Sequence, residues 1–324
     1  MRQRMLCFGL GALLLTHVYA DGYLWLSGAG EMPARVFRYN LRTGQIDRVV
    51  EPGRWGFVQS QDYNLLAYDG NDLYVGLEND RTLLKLNPYT GALRSAFAYQ
   101  MCNCFYGHHW MKDGTIHNGE IWRAAPGRSE SSPGILYVST SGGLPTSAFY
   151  GMDRLDLQPI GLEWVGDALL ITTANGLHRV NFPDEPLVFG AVQYALSGVP
   201  SGHVLGGLAY DPAGDALYLA SADSDGATLW RVQLNHDAQT ATATPVESLT
   251  LKGYPAGLQP TALGWVPARA GDANDDGCVD DADLLQVLLR FGETWDGGED
   301  INWDGIVDDA DLLTLLMDFG RGCD

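Results

Sequence analysis

Residues 65–97 read LLAYDGNDLYVGLENDRTLLKLNPYTGALRSAF, and this stretch gives the clearest indication of the fold. It contains four short apolar segments, and turns rich in Gly, Asp or Asn separate each segment from the next. Alternating segments bounded by such turns are typical of antiparallel strands, and none of them has the periodicity of a helix. The stretch therefore predicts four antiparallel strands in succession.

The second of these segments recurs along the chain. Equivalent runs are Leu24-Trp25-Leu26, Leu73-Tyr74-Val75, Leu136-Tyr137-Val138, Leu169-Leu170-Ile171 and Leu217-Tyr218-Leu219, at offsets of 49, 63, 33 and 48 residues. A repeat of this length with four short strands indicates the blade of a β-propeller.

The two ends of the repeat region indicate how the ring closes. The first unit has three strands, and a spare strand, Thr261 to Val266, follows the fifth unit. We expect this strand to complete the first blade, because closure removes exposed sheet edges. The pattern predicts a mainly β fold with a five-bladed propeller over residues 21–267, and the irregular stretch 101–132 leaves room for a sixth blade.

The Leu-Ala-Tyr-Asp turn followed by Leu-Tyr resembles the broad superfamily of bacterial propellers that includes NHL-like and lactonase-like proteins. Lactonase-like propellers hold a divalent metal at the axis with Glu, Asn and Asp side chains, so the resemblance makes acids near the inner strands candidates. The candidate catalytic residues are Asp62, Glu163 and His203, with Asn118 and Gln259 nearby and with His108, His109, His117 and Glu120 in the irregular stretch. Trp25, Trp55, Trp110 and Trp122 either stack on sugars or belong to the core.

A different pattern fills the C-terminus. From Gly271 to Asp324 the chain has 16 acids and two bases, and residues 272–296 match residues 300–324 at 15 of 25 positions. Each copy contains a 12-residue loop with oxygen-bearing side chains at positions 1, 3, 5, 9 and 12, a backbone carbonyl at 7 and Gly at 6, which is the spacing that wraps Ca²⁺. Site 1 comprises Asp272, Asn274, Asp276, the Cys278 carbonyl, Asp280 and Asp283; site 2 comprises Asp300, Asn302, Asp304, the Ile306 carbonyl, Asp308 and Asp311.

Each loop is followed by one amphipathic helix, Ala282 to Phe291 and Ala310 to Phe319, and each helix is ended by a glycine. The duplicated unit resembles the type I dockerin family over residues 268–324, although position 12 is Asp instead of the usual EF-hand Glu. The resemblance implies two bound Ca²⁺ ions and a cohesin-like partner on a scaffold or cell surface. It places partner contacts at loop positions 10 and 11, which are Asp281, Ala282, Asp309 and Ala310.

The N-terminus and the cysteines indicate export. Residues 1–20 have the basic start, apolar centre and small-residue end of a signal peptide, and no segment is long enough to span a membrane. In an oxidising compartment we expect Cys278 to pair with Cys323, while Cys102 and Cys104 could pair or bind a metal.

Charge and motifs limit the function. The net charge of -20 argues against a nucleic-acid partner. We expect a secreted, calcium-dependent docking protein whose propeller recognises a polysaccharide or a surface ligand. The alternative is that the propeller is a glycoside hydrolase, a lyase or a lactonase-like hydrolase.

Overall fold

The computed structural model describes residues 22–29, 35–55, 63–77, 82–98, 113–125, 135–140, 145–151, 159–181, 190–295, 297–302 and 304–323. The predicted signal peptide lies outside these ranges. So do Asp62, Cys102, Cys104 and residues 108–110. No helix in the described part of the chain is long and apolar enough to cross a membrane.

The described residues form a mainly β fold with two α-helices. The strands are β1 (Gly22–Ala29), β2 (Val36–Asn40), β3 (Gln45–Val50), β4 (Tyr63–Tyr68), β5 (Leu73–Leu77), β6 (Thr82–Leu86), β7 (Leu93–Ala98), β8 (Asp113–His117), β9 (Glu120–Ala125), β10 (Ile135–Thr140), β11 (Pro145–Gly151), β12 (Leu162–Val165), β13 (Ala168–Thr173), β14 (Gly176–Asn181), β15 (Gly190–Gln193), β16 (Ala195–Ser197), β17 (Val204–Asp211), β18 (Ala216–Ala222), β19 (Ala227–Asn235), β20 (Thr240–Ser248) and β21 (Gln259–Pro267). The helices are α1 (Asp281–Arg290) and α2 (Asp309–Asp318).

These strands form five sheets, which we number along the chain. Sheet 1 has the order β21-β1-β2-β3, sheet 2 β4-β5-β6-β7, sheet 3 β8-β9-β10-β11 and sheet 4 β12-β13-β14-β15. Sheet 5 has five strands in the order β17-β18-β19-β20-β16. The innermost strands of the five sheets are β21, β4, β8, β12 and β17. Each of these strands contacts the next one, and β17 contacts β21, which closes the ring. The sheets therefore surround a common axis in a propeller arrangement.

The expected closing strand is present. Strand β21 pairs antiparallel with β1, from Gly22 opposite Pro267 to Ala29 opposite Gln259. Where the ring closes, the backbones of β17 and β21 lie in direct contact: a Cβ at Gly206 would lie 1.8 Å from the Pro260 carbonyl oxygen, and one at Gly207 2.5 Å from the Leu263 nitrogen. Only glycine leaves room for this approach.

The predicted strand order of the third unit was wrong by one strand. The Leu136 run lies on β10, the third strand of its sheet, and the second strand is β9, with Ile121 in the position of Leu73. The equivalent residues Leu24, Leu73, Ile121, Leu169 and Leu217 recur at intervals of 49, 48, 48 and 48 residues. The part of the stretch 101–132 that the structure describes thus supplies two strands of sheet 3, and it belongs to no additional sheet.

The core lies between neighbouring sheets. Trp25, Val75, Leu84 and Val266 are fully buried between sheets 1 and 2. Burial of one such aliphatic side chain stabilises the fold by about 1.5–3 kcal/mol. The indole of Trp25 donates to the Pro88 carbonyl at 2.8 Å, which satisfies its one polar group. Trp25 and Trp122 are core residues, because both are buried, and they offer no face to a sugar.

Candidate functional site

The first acidic loop folds around its own carboxylates. Asp272 accepts hydrogen bonds from the backbone N–H groups of Asp276, at 3.0 Å, and Gly277, at 2.8 Å. Asp283, at the far end of the loop, accepts from Asn274 N–H at 3.0 Å and Asp280 N–H at 2.9 Å. Gly277 has a φ of 89°, which turns the chain between these two acids.

The second loop repeats this pattern. Asp300 accepts from Gly305 N–H at 2.8 Å, and Asp311 accepts from Asn302 N–H at 2.9 Å and Asp308 N–H at 2.8 Å. The φ of Gly305 is 91°. Both loops end in a capping box, in which Asp280 or Asp308 caps the helix and the acid at position 12 bonds back to the cap residue. The sequence repeat is therefore also a repeat of backbone geometry.

The electrostatics of these loops fit a divalent cation. Asp272, Asp283 and Asp311 are at most 3% exposed, and none forms a salt bridge with a described basic residue. Burial, together with the neighbouring acids Asp275 and Asp283, raises the pKa of Asp272 to about 7. Buried carboxylates are stable as ions when a counter-charge lies between them.

The donor atoms are those that calcium prefers. A carboxylate has about four acceptor positions, so two backbone N–H bonds leave room for a metal ion at Asp272 and at Asp283. Among the described residues, the predicted carbonyl ligands at Cys278 and Ile306 accept no hydrogen bond. All candidate ligands are hard oxygens, which is the donor type that Ca²⁺ prefers.

The predicted partner positions lie at the exposed helix starts. Asp281, Ala282, Asp309 and Ala310 are all exposed. Farther along, each helix and its cap expose apolar side chains at matching positions 28 residues apart: Leu285, Leu288, Leu289 and Phe291 in the first copy, and Leu313, Leu316, Met317 and Phe319 in the second. Leu289 is 71% exposed and Met317 79%. Exposed apolar residues that form a contiguous patch are typical of a surface that contacts a partner.

A disulfide joins Cys278 to Cys323, as the sequence predicts, with Cα atoms 4.6 Å apart. It connects the first loop to the residues after α2, beside a small core of Val279, Val287, Val307 and Leu315. The Asp280 carboxylate lies within 4.8 Å of both sulfur atoms. Because these sulfur atoms are bonded to each other, they are not thiolate ligands.

Two acids lie at the propeller axis. Glu163, on β12, accepts from the Thr115 hydroxyl at 2.5 Å and the Trp164 N–H at 2.8 Å, and burial raises its pKa to about 7. Asp113, on β8, is fully buried and accepts from the N–H groups of Leu162, at 3.2 Å, and Leu208, at 3.3 Å. Burial raises the pKa of Asp113 well above its usual value.

Sequence reasoning missed Asp113, because the third unit was aligned on the wrong strand. A repeat of 48 residues would have placed Asp113 in the same row as Leu65 and Gly161. Both axial acids accept hydrogen bonds from inner-strand amides that face the axis and have no partner strand. Asp113 is fully buried and Glu163 is partly buried, and both complete the hydrogen bonding of backbone amides.

His203 belongs to a separate set of contacts in sheet 5. Its Nδ1 is 2.8 Å from Ser221 Oγ, and its Nε2 is 3.1 Å from Asp223 Oδ2. The indole of Trp230 donates to the same Ser221 oxygen at 2.8 Å. The Ser221 hydroxyl is fully buried, so the chain of contacts joins two loops of sheet 5 and gives a substrate no access to the hydroxyl.

The structure brings together few of the other predicted axial residues. Asn118 lies on an exposed turn after β8, and Gln259 begins β21. His117 stacks on Trp164 with ring centroids 4.2 Å apart. The other candidates in the stretch 101–112, and Asp62, lie outside the described residues.

Comparison with known proteins finds structures of low sequence identity and low TM-score. No protein-family profile and no curated sequence matches the chain. Among solved structures, the glutaminyl cyclase of Myxococcus xanthus is 15% identical over 62% of this chain and 82% of its own, with a TM-score of 0.44. The allergen Mala s 1 of Malassezia sympodialis is 12% identical over 74% of this chain and 80% of its own (TM-score 0.43), and a Bacteroides caccae protein of unknown function is 10% identical over 76% and 99% (TM-score 0.40).

Proposed function

We propose that this chain is a secreted docking protein. Its C-terminal module, residues 268–324, is a type I dockerin-like domain that binds two Ca²⁺ ions and docks onto a cohesin-like module of a scaffold or cell surface. The module carries a five-bladed propeller that recognises a polysaccharide or a surface ligand. Among the described sheets the ring of inner strands closes with five members, which supports this blade count.

The observation that carries the proposal is the equivalence of the two loops. The acids at positions 1 and 12 of each loop are buried, and they accept hydrogen bonds from backbone N–H groups at equivalent positions. The two loops lie 28 residues apart in the chain. A solvated acidic surface would not bury its acids in this way, because burying an unpaired charge is costly. The exposed apolar residues, repeated on both helices, support docking through the helices.

Recognition is favoured over catalysis for the propeller. Asp113 and Glu163 are engaged by amides and a threonine hydroxyl, and the Ser221 hydroxyl beside His203 is buried. A general acid or base must reach the reacting group of a substrate. Recognition of a ligand needs no such access, so it fits these contacts better.

Two double variants of the secreted chain test the proposal. Calorimetric titration of the unaltered protein should show about two Ca²⁺ per chain. Circular dichroism should show a gain of helix when calcium is added. Asp272→Ala with Asp300→Ala should abolish both effects. Asp281→Ala with Asp309→Ala removes the same charge outside the ligand positions, so it should retain calcium binding.

The same variants separate calcium binding from docking. With a panel of type I cohesin modules as probes, the Asp281→Ala and Asp309→Ala protein should bind more weakly while it still takes up calcium. Calcium binding that persists in the Asp272→Ala and Asp300→Ala protein would overturn the metal assignment. Docking that is insensitive to chelator would overturn the coupling of calcium to the partner.

A further inference from the structure

The first calcium loop packs against the propeller. Asp275, at loop position 4, is outside the predicted ligand set and points toward sheet 1. The Tyr23 hydroxyl donates to one of its carboxylate oxygens, and the Asn40 side-chain amide donates to the other at 3.3 Å. These partners are 252 and 235 residues from Asp275 in the chain.

The propeller side of this contact is rigid. The Arg38 guanidinium lies 4.3 Å from the centre of the Tyr23 ring and forms two hydrogen bonds with Asp47, at 2.8 and 2.9 Å. The Arg38 guanidinium donates a third hydrogen bond to the Tyr89 carbonyl at 2.5 Å, which connects sheet 1 to the turn between β6 and β7 of sheet 2. Tyr23, Arg38 and Asn40 are at most 2% exposed, so their positions are fixed by packing.

A second contact involves the glycine of the loop. A Cβ at Gly277 would lie 2.7 Å from the Tyr89 Cβ, so only glycine allows the loop to approach the tyrosine this closely. The Arg269 guanidinium stacks on the Tyr89 ring at 4.3 Å and donates to the Gly277 carbonyl. The Tyr89 hydroxyl also donates to the Pro267 carbonyl at 3.2 Å, so the link between domains is held at the same place.

The second loop lacks the features that make this contact. Its position 4 is Trp303 in place of Asp275. Gly305, the counterpart of Gly277, has open space where a Cβ would be built. The two copies therefore agree at their ligand positions and differ at the positions that contact the propeller.

We infer that the surface formed by Tyr23, Asn40 and Tyr89 is a docking surface for the first calcium loop, so that calcium binding there is linked to attachment of the module. The inference rests on the calcium binding proposed above. Asp275 lies between two ligand positions, Asn274 and Asp276, and reaches Tyr23 only when the loop is folded. Since linkage is reciprocal, the propeller raises the calcium affinity of the first loop and leaves the second unaffected.

The test uses the full secreted chain with one site removed at a time. In Asp300→Ala protein, which keeps site 1, adding Tyr23→Phe and Asn40→Ala should weaken calcium binding about tenfold, as expected for lost hydrogen bonds to a charged group. In Asp272→Ala protein, which keeps site 2, the same two changes should leave the calcium affinity unaltered. Tyr74→Phe is the matched control, because the Tyr74 hydroxyl donates to Asp69 at 2.8 Å within sheet 2.

The outcomes separate this inference from the proposed function. A tenfold loss at site 1 alone, with hydrogen exchange of residues 268–277 accelerated to the rate seen in chelator, supports the linkage. Equal effects on both sites, or no effect on either, would overturn the linkage while calcium binding itself stands. Absence of calcium binding in the unaltered protein would overturn both.

Discussion

Replacing Glu163 by Gln should stabilise the propeller at alkaline pH and leave its stability nearly unchanged in acid. The carboxylate accepts from Thr115 and Trp164, and burial raises its pKa from 4.5 to about 7. The folded protein therefore retains a proton that the unfolded chain has released between these two pH values. Gln mimics the protonated form, because it carries no charge and has nearly the same shape.

The sign and size of the effect follow from proton linkage. Because the folded-state pKa is the higher of the two, the stability that this group contributes is fully present below pH 4.5 and is lost as the pH rises through about 7. Each pH unit between these values corresponds to about 1.4 kcal/mol. The interval of about 2.5 pH units sets a ceiling of about 3.5 kcal/mol on the stability that the wild-type protein loses.

Urea unfolding followed by tryptophan fluorescence at pH 4.5, 6 and 8.5 measures this loss. The difference between the Glu163→Gln and wild-type unfolding free energies should be near zero at the lowest pH and approach the ceiling at the highest. Glu120→Gln, which removes the same charge at the start of β9, is the matched control. A difference that is independent of pH, or one that grows toward acid, would refute the assigned burial of Glu163.

Two further predictions concern the chain's C-terminal half. Replacing both Cys278 and Cys323 by Ser should lower the unfolding free energy of the module by about 2–4 kcal/mol, measured by calorimetry on the full chain; an unchanged transition would show that the disulfide is dispensable. Ending the chain before Gln259 removes β21 with its buried Leu263 and Val266, so the propeller should melt about 10 °C or more below a chain that ends at Pro267. Equal melting of these two chains would contradict closure of sheet 1 by β21.

The features that sequence predicted are those carried by local spacing. The helices and the glycines that end them depend on residues within one 28-residue repeat, and the structure has α1 and α2 within one residue of the predicted start. The closing strand was also predictable, because it is an apolar run left without a unit. Strand β8 was missed because its sequence, Asp-Gly-Thr-Ile-His, has a single large apolar residue and no alternating pattern.

Long-range contacts could not be predicted in the same way. Asp113 accepts hydrogen bonds from amides 49 and 95 residues away, and no spacing in the sequence marks a carboxylate for that role. The contact of Asp275 with Tyr23 likewise joins opposite ends of the chain. The sequence indicates this contact only through the difference between the two loops at position 4, which is Asp275 in the first loop and Trp303 in the second.

The axial acids and the loop acids both accept hydrogen bonds from backbone N–H groups, but these groups come from different parts of the chain. An inner strand leaves N–H groups facing the axis with no partner strand, and Asp113 satisfies two of them on different neighbouring strands. In the first acidic loop the amides that donate to Asp283 belong to its own loop, so these hydrogen bonds hold a short segment together. Asp113 and Asp283 are both fully buried, but Asp283 also ends a 12-residue loop whose oxygen-bearing residues have the spacing of a calcium loop. We therefore propose that a metal site belongs to the module and that the acids at the axis have a structural role.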